Sequence, residues 1–267
     1  MFIIGELING MYSKVAVALS EKDSGYIRAL ARAQLEVGAD ALDVNCGPAS
    51  RDVVSDMRWL VEILQKESPR ILCLDSANLK AIEEGLKAAR CKCIINSTPA
   101  DKEKLEVYIP LALKYKASLI ALTIDKKGVP QDKGKRLELA AQILDVASEQ
   151  NFSMEELYLD PILMPINVAQ GQLFDILETI REFKLLSIPS AKTVLGLSNI
   201  SQGAKTRRLI NRTFLTMAQS FGLDAAILDP LDENLMNSLI ATELILNKNI
   251  YCDSFLEAYK KSKGTKK

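Results

Sequence analysis

Short apolar runs alternate with longer amphipathic segments along nearly the whole chain. Phe2–Leu7, Ala41–Cys46, Ile71–Asp75, Cys93–Asn96, Leu119–Ile124, Leu157–Asp160, Thr193–Ser198 and Ala225–Asp229 make eight strand candidates. Most are apolar at successive positions, the pattern of strands covered on both faces of a parallel sheet. In Asp52–Lys66, the residues Val53, Met57, Leu60, Val61 and Leu64 share one helical face. Leu79–Ala89, Lys102–Tyr115, Lys135–Gln150, Gln172–Phe183, Arg207–Phe221 and Leu235–Leu246 continue the helical series, and Asp23 and Asp52 stand at N-cap positions. Eight strand–helix units in a row predict an α/β protein, a single-domain (β/α)8 TIM barrel. Its expected extent is 1–258, followed by a basic tail at 259–267 (KSKGTKK with its flanks) expected to be disordered. An open doubly wound sheet would be favoured by G-x-G-x-x-G after the first strand, and none follows Phe2–Leu7.

Charge narrows the partners. The 267 residues carry 34 basic and 34 acidic side chains, with no whole-chain excess to attract nucleic acid. No apolar run approaches the roughly 18 residues of a membrane span. The first residues lack a basic leader and are interrupted by Glu6, so a cytoplasmic location is expected. Histidine is absent, which removes the commonest metal ligand and general base. The five cysteines show no zinc or cluster spacing, and Cys91-Lys92-Cys93 reads as reduced thiols at the start of a strand. No intrinsic metal is expected.

In a barrel the chemistry lies at the C-terminal ends of the strands. Polar residues gather there: Glu6 and Asn9, Asp43 and Asn45, Asp75, Asn96, Thr123 and Asp125, Asp160, Ser198 and Asn199, and Asp229. Few arginines (Arg51, Arg207, Arg208) stand near enough to neutralise these carboxylates. Buried carboxylates need partners, and a flat heterocycle with adjacent N–H donors would supply them. A phosphate would be repelled, and no G-x-x-x-x-G-K-[ST] loop occurs.

Six segments carry a resemblance: IIGELINGM, ALDVNCGPASRD, CLDSAN, IINST, LYLDPILMPINVAQ and TVLGLSNISQG with NRTF beyond it. Together, from Met1 to about Phe255, they resemble the pterin-binding methyltransferases, and most closely those acting between 5-methyltetrahydrofolate and a corrinoid/iron–sulfur protein in acetyl-CoA (Wood–Ljungdahl) metabolism. Dihydropteroate synthase is a more distant relative. Its Ser-x-Arg-Pro-Gly-like loop and C-terminal Arg–His pair are missing, since strand two leads into Asp43-Val44-Asn45-Cys46-Gly47-Pro48.

The resemblance implies methyl transfer from N5 of 5-methyltetrahydrofolate to Co(I) of the partner's cobalamin, or the reverse transfer in a demethylation pathway. It implies that Asp160 accepts from the 2-amino group and N3–H, that Asp75 and Asn96 cover the N1/N8 edge, and that Asn199 bonds N5. Gln202 and Arg207 would lie near the folate, in a basic loop suited to its glutamate tail. Asn199 would stabilise charge at N5, with Asp43, Asp160 or water relaying the proton. A homodimer is also implied.

Overall fold

The computed structural model describes residues 1–48 and 50–251, so the tail expected at 259–267 lies outside the described residues. Eight parallel strands close into a barrel in sequence order: β1 (Phe2–Asn9), β2 (Ala41–Asn45), β3 (Ile71–Asp75), β4 (Lys92–Pro99), β5 (Ser118–Leu122), β6 (Leu157–Asp160), β7 (Lys192–Gly196) and β8 (Ala225–Leu228). Around them run α1 (Ser13–Glu21), α2 (Ser24–Glu36), α3 (Val53–Leu64), α4 (Leu79–Ala88), α5 (Lys102–Tyr115) and α6 (Lys133–Glu149). The ring continues with α7 (Ile166–Ala169), α8 (Leu173–Phe183), α9 (Arg207–Ser220) and α10 (Glu233–Ile245). The barrel is therefore as expected. The Asp23 and Asp52 carboxylates accept from the amides of Tyr26 and Ser55 and cap α2 and α3.

Strand residues divide by parity. Ile4, Ala41, Cys73, Ile94, Ile120, Tyr158, Val194 and Ala225 fill the barrel interior, whereas their neighbours Ile3, Leu42, Leu72, Ile95, Leu119, Leu159 and Leu195 pack against the helices. Burial on both faces explains the unbroken apolar runs.

Several strand ends differ from the sequence reading. β7 stops at Gly196, and Leu197–Ser201 forms a 3₁₀ turn, so Ser198 and Asn199 sit on a turn rather than on the strand. β5 stops at Leu122, because Thr123 turns to donate both its N–H and its hydroxyl to the Asp160 carbonyl, at 2.9 and 3.0 Å. Asp125 closes its own small turn by accepting from the Lys127 amide at 2.8 Å. Conversely, β1 and β4 run on through polar residues. Their registers shift between Gly5 and Ile8 and between Asn96 and Thr98, irregularities of the kind that re-aim side chains beside functional sites.

The loops after β1 and β2 touch backbone to backbone. A Cβ on Gly10 would lie 2.0 Å from the Cys46 carbonyl oxygen, and Gly47, at φ +67°, faces Gly10 in return. Gly10→Ala is therefore expected to destabilise the protein by roughly 2 kcal/mol or more in chemical unfolding, since neither backbone can yield freely.

Candidate active site

Two residues beyond the interior apolar layer, the same inward parity brings up carboxyls and amides. Ile4 is followed by Glu6, Ala41 by Asp43 and Asn45, Cys73 by Asp75, Ile94 by Asn96, Tyr158 by Asp160, and Ile227 by Asp229. Asn9, Asn45, Asp75 and Asn96 stand in register on β1–β4. The barrel is thus apolar below and polar at its C-terminal mouth.

On β2–β4 the polar groups bond one another. Asn45 Nδ2 donates to Asp75 Oδ2 at 2.6 Å, and Asn45 Oδ1 accepts from the Gly47 amide at 2.6 Å. Asn96 Nδ2 donates to Asp43 Oδ1 at 3.1 Å. Asp43 is 2% exposed. Burial and the neighbouring Asp75 charge raise its pKa well above the carboxylate range, against the donation from Asn96 and the Cys73 thiol. Burial also raises Asp75, opposed by the Asn45 amide. Like charges this close disfavour double ionisation, so this side of the mouth can hold or release a proton.

Asp160, at the end of β6, is pushed up to about 7 by burial, opposed by the Ile162 N–H, which donates to its Oδ1 at 2.7 Å. Ile162 has φ +62°, a left-handed conformation costly for a β-branched residue.

The third side of the mouth joins β1 to the turn after β7. The Ser198 hydroxyl donates to Glu6 Oε1 at 2.7 Å. Glu6 is pushed up to about 7, first by burial and then by Asp229, against Ser198 and the Arg207 charge. Arg207 opens α9 and is tethered: Nε donates to Ser201 Oγ at 3.2 Å and Nη2 to the Ser198 carbonyl at 3.4 Å. It is therefore not on a free loop, as the sequence had suggested, although its side chain remains exposed along with Gln202. Arg208 turns toward Asp232, at 3.7 Å. Asn199 is exposed, and its Nδ2 lies 3.0 Å from where a Cβ on Gly196 would stand, so the missing side chain leaves room for the carboxamide.

Asp43, Asp75 and Asn96 thus form one cluster. Asp160 occupies a separate side, and Asn199, Gln202 and Arg207 share the turn after β7. Glu6, Asn45 and Ser198 join the mouth although they stood outside the expected binding set. The parity of Ala41 pointed to Asn45, but nothing local pairs Glu6 with Ser198, 192 residues away. Five carboxyls raised by burial (Glu6, Asp43, Asp75, Asp160, Asp229) make a surface suited to a neutral, donor-rich ring. The tethered Arg207 marks the side that would accept an anionic group.

Residues 6–229 match the family model described as "Pterin binding enzyme". The chain is 30% identical over 268 residues to a methylcorrinoid:tetrahydrofolate methyltransferase of Eubacterium limosum, covering 98% of this chain and 97% of that protein. It is also 30% identical over 240 residues to methionine synthase of Mycobacterium tuberculosis, where the match spans 85% of this chain but 20% of that much longer protein. Among solved structures, a dihydropteroate synthase of Coxiella burnetii in complex with pteroic acid superposes with a TM-score of 0.67 at 12% identity, covering 93% and 94% of the two chains. At that identity the likeness is one of fold.

Proposed function

The chain belongs to the pterin-binding enzymes, and we propose that it transfers the N5 methyl group of 5-methyltetrahydrofolate to Co(I) of a corrinoid/iron–sulfur protein in the acetyl-CoA (Wood–Ljungdahl) pathway. The observation that carries the reading is the ring of buried carboxyls and amides at the barrel mouth, with the exposed Asn199 carboxamide on the turn after β7.

In this reading Asp160 accepts from the 2-amino group and N3–H of the pterin, two parallel donors that match one carboxylate. Asp75 and Asn96 meet the N1/N8 edge, and Gln202 and Arg207 face the folate tail. The methyl carbon passes to the partner's cobalt, the N5–C bond pair stays on N5, and N5 takes a proton. Asn199 donates to N5 and stabilises the charge that changes there. The proton comes from the mouth, through Asp43, whose proton affinity burial raises, through Asp160, pushed up to about 7, or through ordered water. The cobalamin belongs to the partner. A polar, transient contact over the mouth would leave it free to depart. We propose a homodimer as the assembly, supported by an apolar groove between α8 and α9 where Phe174, Leu209 and Met217 are exposed.

The reverse direction, from a methylcorrinoid protein to tetrahydrofolate, is a second reading favoured by the name of the Eubacterium limosum relative. Both directions use the same pocket. The test presents the enzyme with a purified corrinoid/iron–sulfur protein in the Co(I) state plus 5-methyltetrahydrofolate, and separately with a methylated corrinoid protein of a demethylation system plus tetrahydrofolate. Corrinoid absorbance should report rapid methylation in the first mixture and slow turnover in the second. Turnover only in the second would assign the reverse direction, and turnover in neither would overturn the methyl-transfer reading.

A further inference from the structure

Arg136 lies in the first turn of α6, a position that reads as solvated helix surface, yet its side chain is 0% exposed. It makes no ion pair among the described residues. Its Nε donates to the Pro161 carbonyl at 3.0 Å and its Nη2 to Gln172 Oε1 at 2.8 Å. Gln172 Nε2 in turn donates to Gln131 Oε1 at 2.7 Å, in the loop leading to α6. The remaining Nη1 is buried with no hydrogen-bond partner among the described residues. Burying a guanidinium without a carboxylate is costly, and helix packing alone would be served better by an apolar side chain.

What the guanidinium holds is the peptide unit between Pro161 and Ile162. The oxygen end of that unit accepts from Arg136, and its N–H end donates to Asp160. The unit is kept in this orientation although Ile162 must adopt the left-handed conformation, which is stable only when its surroundings enforce it. We propose that Arg136 is a positioning residue for Asp160. It pins the Pro161–Ile162 peptide so that the N–H stays on the carboxylate and the other carboxylate lone pairs stay aimed into the mouth. The positive charge also polarises that peptide, strengthening its N–H as a donor. Without the guanidinium, rotation of the peptide would relieve Ile162 and withdraw the donor from Asp160. The inference rests on the proposed pterin role of Asp160.

The groups acting on Asp160 are few. Burial and the Ile162 N–H dominate, whereas the Asp75 and Glu6 charges act on Asp43. Nearby, β5 contributes Thr123, which bonds the Asp160 backbone carbonyl and not its carboxyl. The charges acting on Arg136 are those of Asp175 and Asp132, so its influence on Asp160 runs through the peptide.

The test measures 5-methyltetrahydrofolate affinity from pH 5.5 to 8.5 for the wild type, Arg136→Gln, Asp160→Asn and the double variant. Arg136→Gln is expected to weaken binding roughly 10-fold or more at pH 7, the scale of a lost hydrogen bond to a charged group. It should also move the pH midpoint of binding upward. In the Asp160→Asn background the same change should cost nothing further. Arg136→Lys, which keeps the charge and one donor, should recover part of the loss and serves if Arg136→Gln does not fold. Equal losses in both backgrounds, or an unmoved midpoint, would overturn the proposal. Carboxyl-carbon NMR of selectively labelled Asp160 gives a readout without folate. If the wild type binds no folate, an upward shift of the Asp160 titration in Arg136→Lys or Arg136→Gln would still support the positioning role, and an unchanged titration would reject it.

Discussion

Asn199→Ala is expected to slow methyl transfer from saturating 5-methyltetrahydrofolate to cob(I)alamin about 100-fold, the scale of removing one preorganised donor from a developing charge. Folate affinity should change far less. The structure supports this split: the carboxamide is exposed and accepts or donates no side-chain hydrogen bond among the described residues, so its removal leaves the 3₁₀ turn and the carboxyl cluster standing. In the proposed role, the donation to N5 strengthens as the methyl departs and the bonding pair returns to N5, so its loss should appear in the chemical step. Anaerobic single-turnover kinetics at several folate concentrations separates the two terms. A wild-type rate at saturation would reduce Asn199 to a binding residue and move activation of N5 to the carboxyls.

Asp160→Asn should have opposite effects on function and on stability. Folate affinity is expected to fall roughly 100-fold, because an amide cannot accept two parallel N–H donors. The ligand-free protein should become more stable at alkaline pH. The Asp160 pKa is raised from 3.8 to about 7, so the folded state keeps a proton that the unfolded chain releases across that window. Stability contributed by this group therefore falls as pH rises through the window, by up to ~4 kcal/mol above it. Asparagine keeps the acceptor for the Ile162 N–H and does not titrate. Thermal unfolding without ligand should show the variant melting several degrees above the wild type at pH 8, with the difference fading toward pH 4. A variant that melted lower at pH 8 would mean that Asp160 is ionised and already satisfied in the empty site.

The barrel was legible in the sequence because burial on both faces leaves a signal that needs no knowledge of partners: Leu72–Leu74 or Leu157–Leu159 can be little else. The mouth was legible in part. Asp43, Asp75, Asn96 and Asp160 each follow such a run. The strand ends were less so, since Asn9 extends β1 and Thr98 extends β4 despite their polarity, while Thr123 leaves β5 to bond Asp160. Arg136 was illegible, because within KGKRLELAAQ it looks like one more surface charge. Its burial depends on Pro161 and Gln172 arriving from other parts of the chain. The Glu6–Ser198 bond has the same origin in tertiary structure.

The most direct test of the account is a single-turnover experiment in which the enzyme, 5-methyltetrahydrofolate carrying a labelled methyl group, and cob(I)alamin are mixed anaerobically. Loss of the Co(I) absorbance should coincide with appearance of labelled methylcobalamin and of tetrahydrofolate in equal amounts. Tight folate binding with no label reaching cobalt, from either free cobalamin or a corrinoid protein, would contradict it.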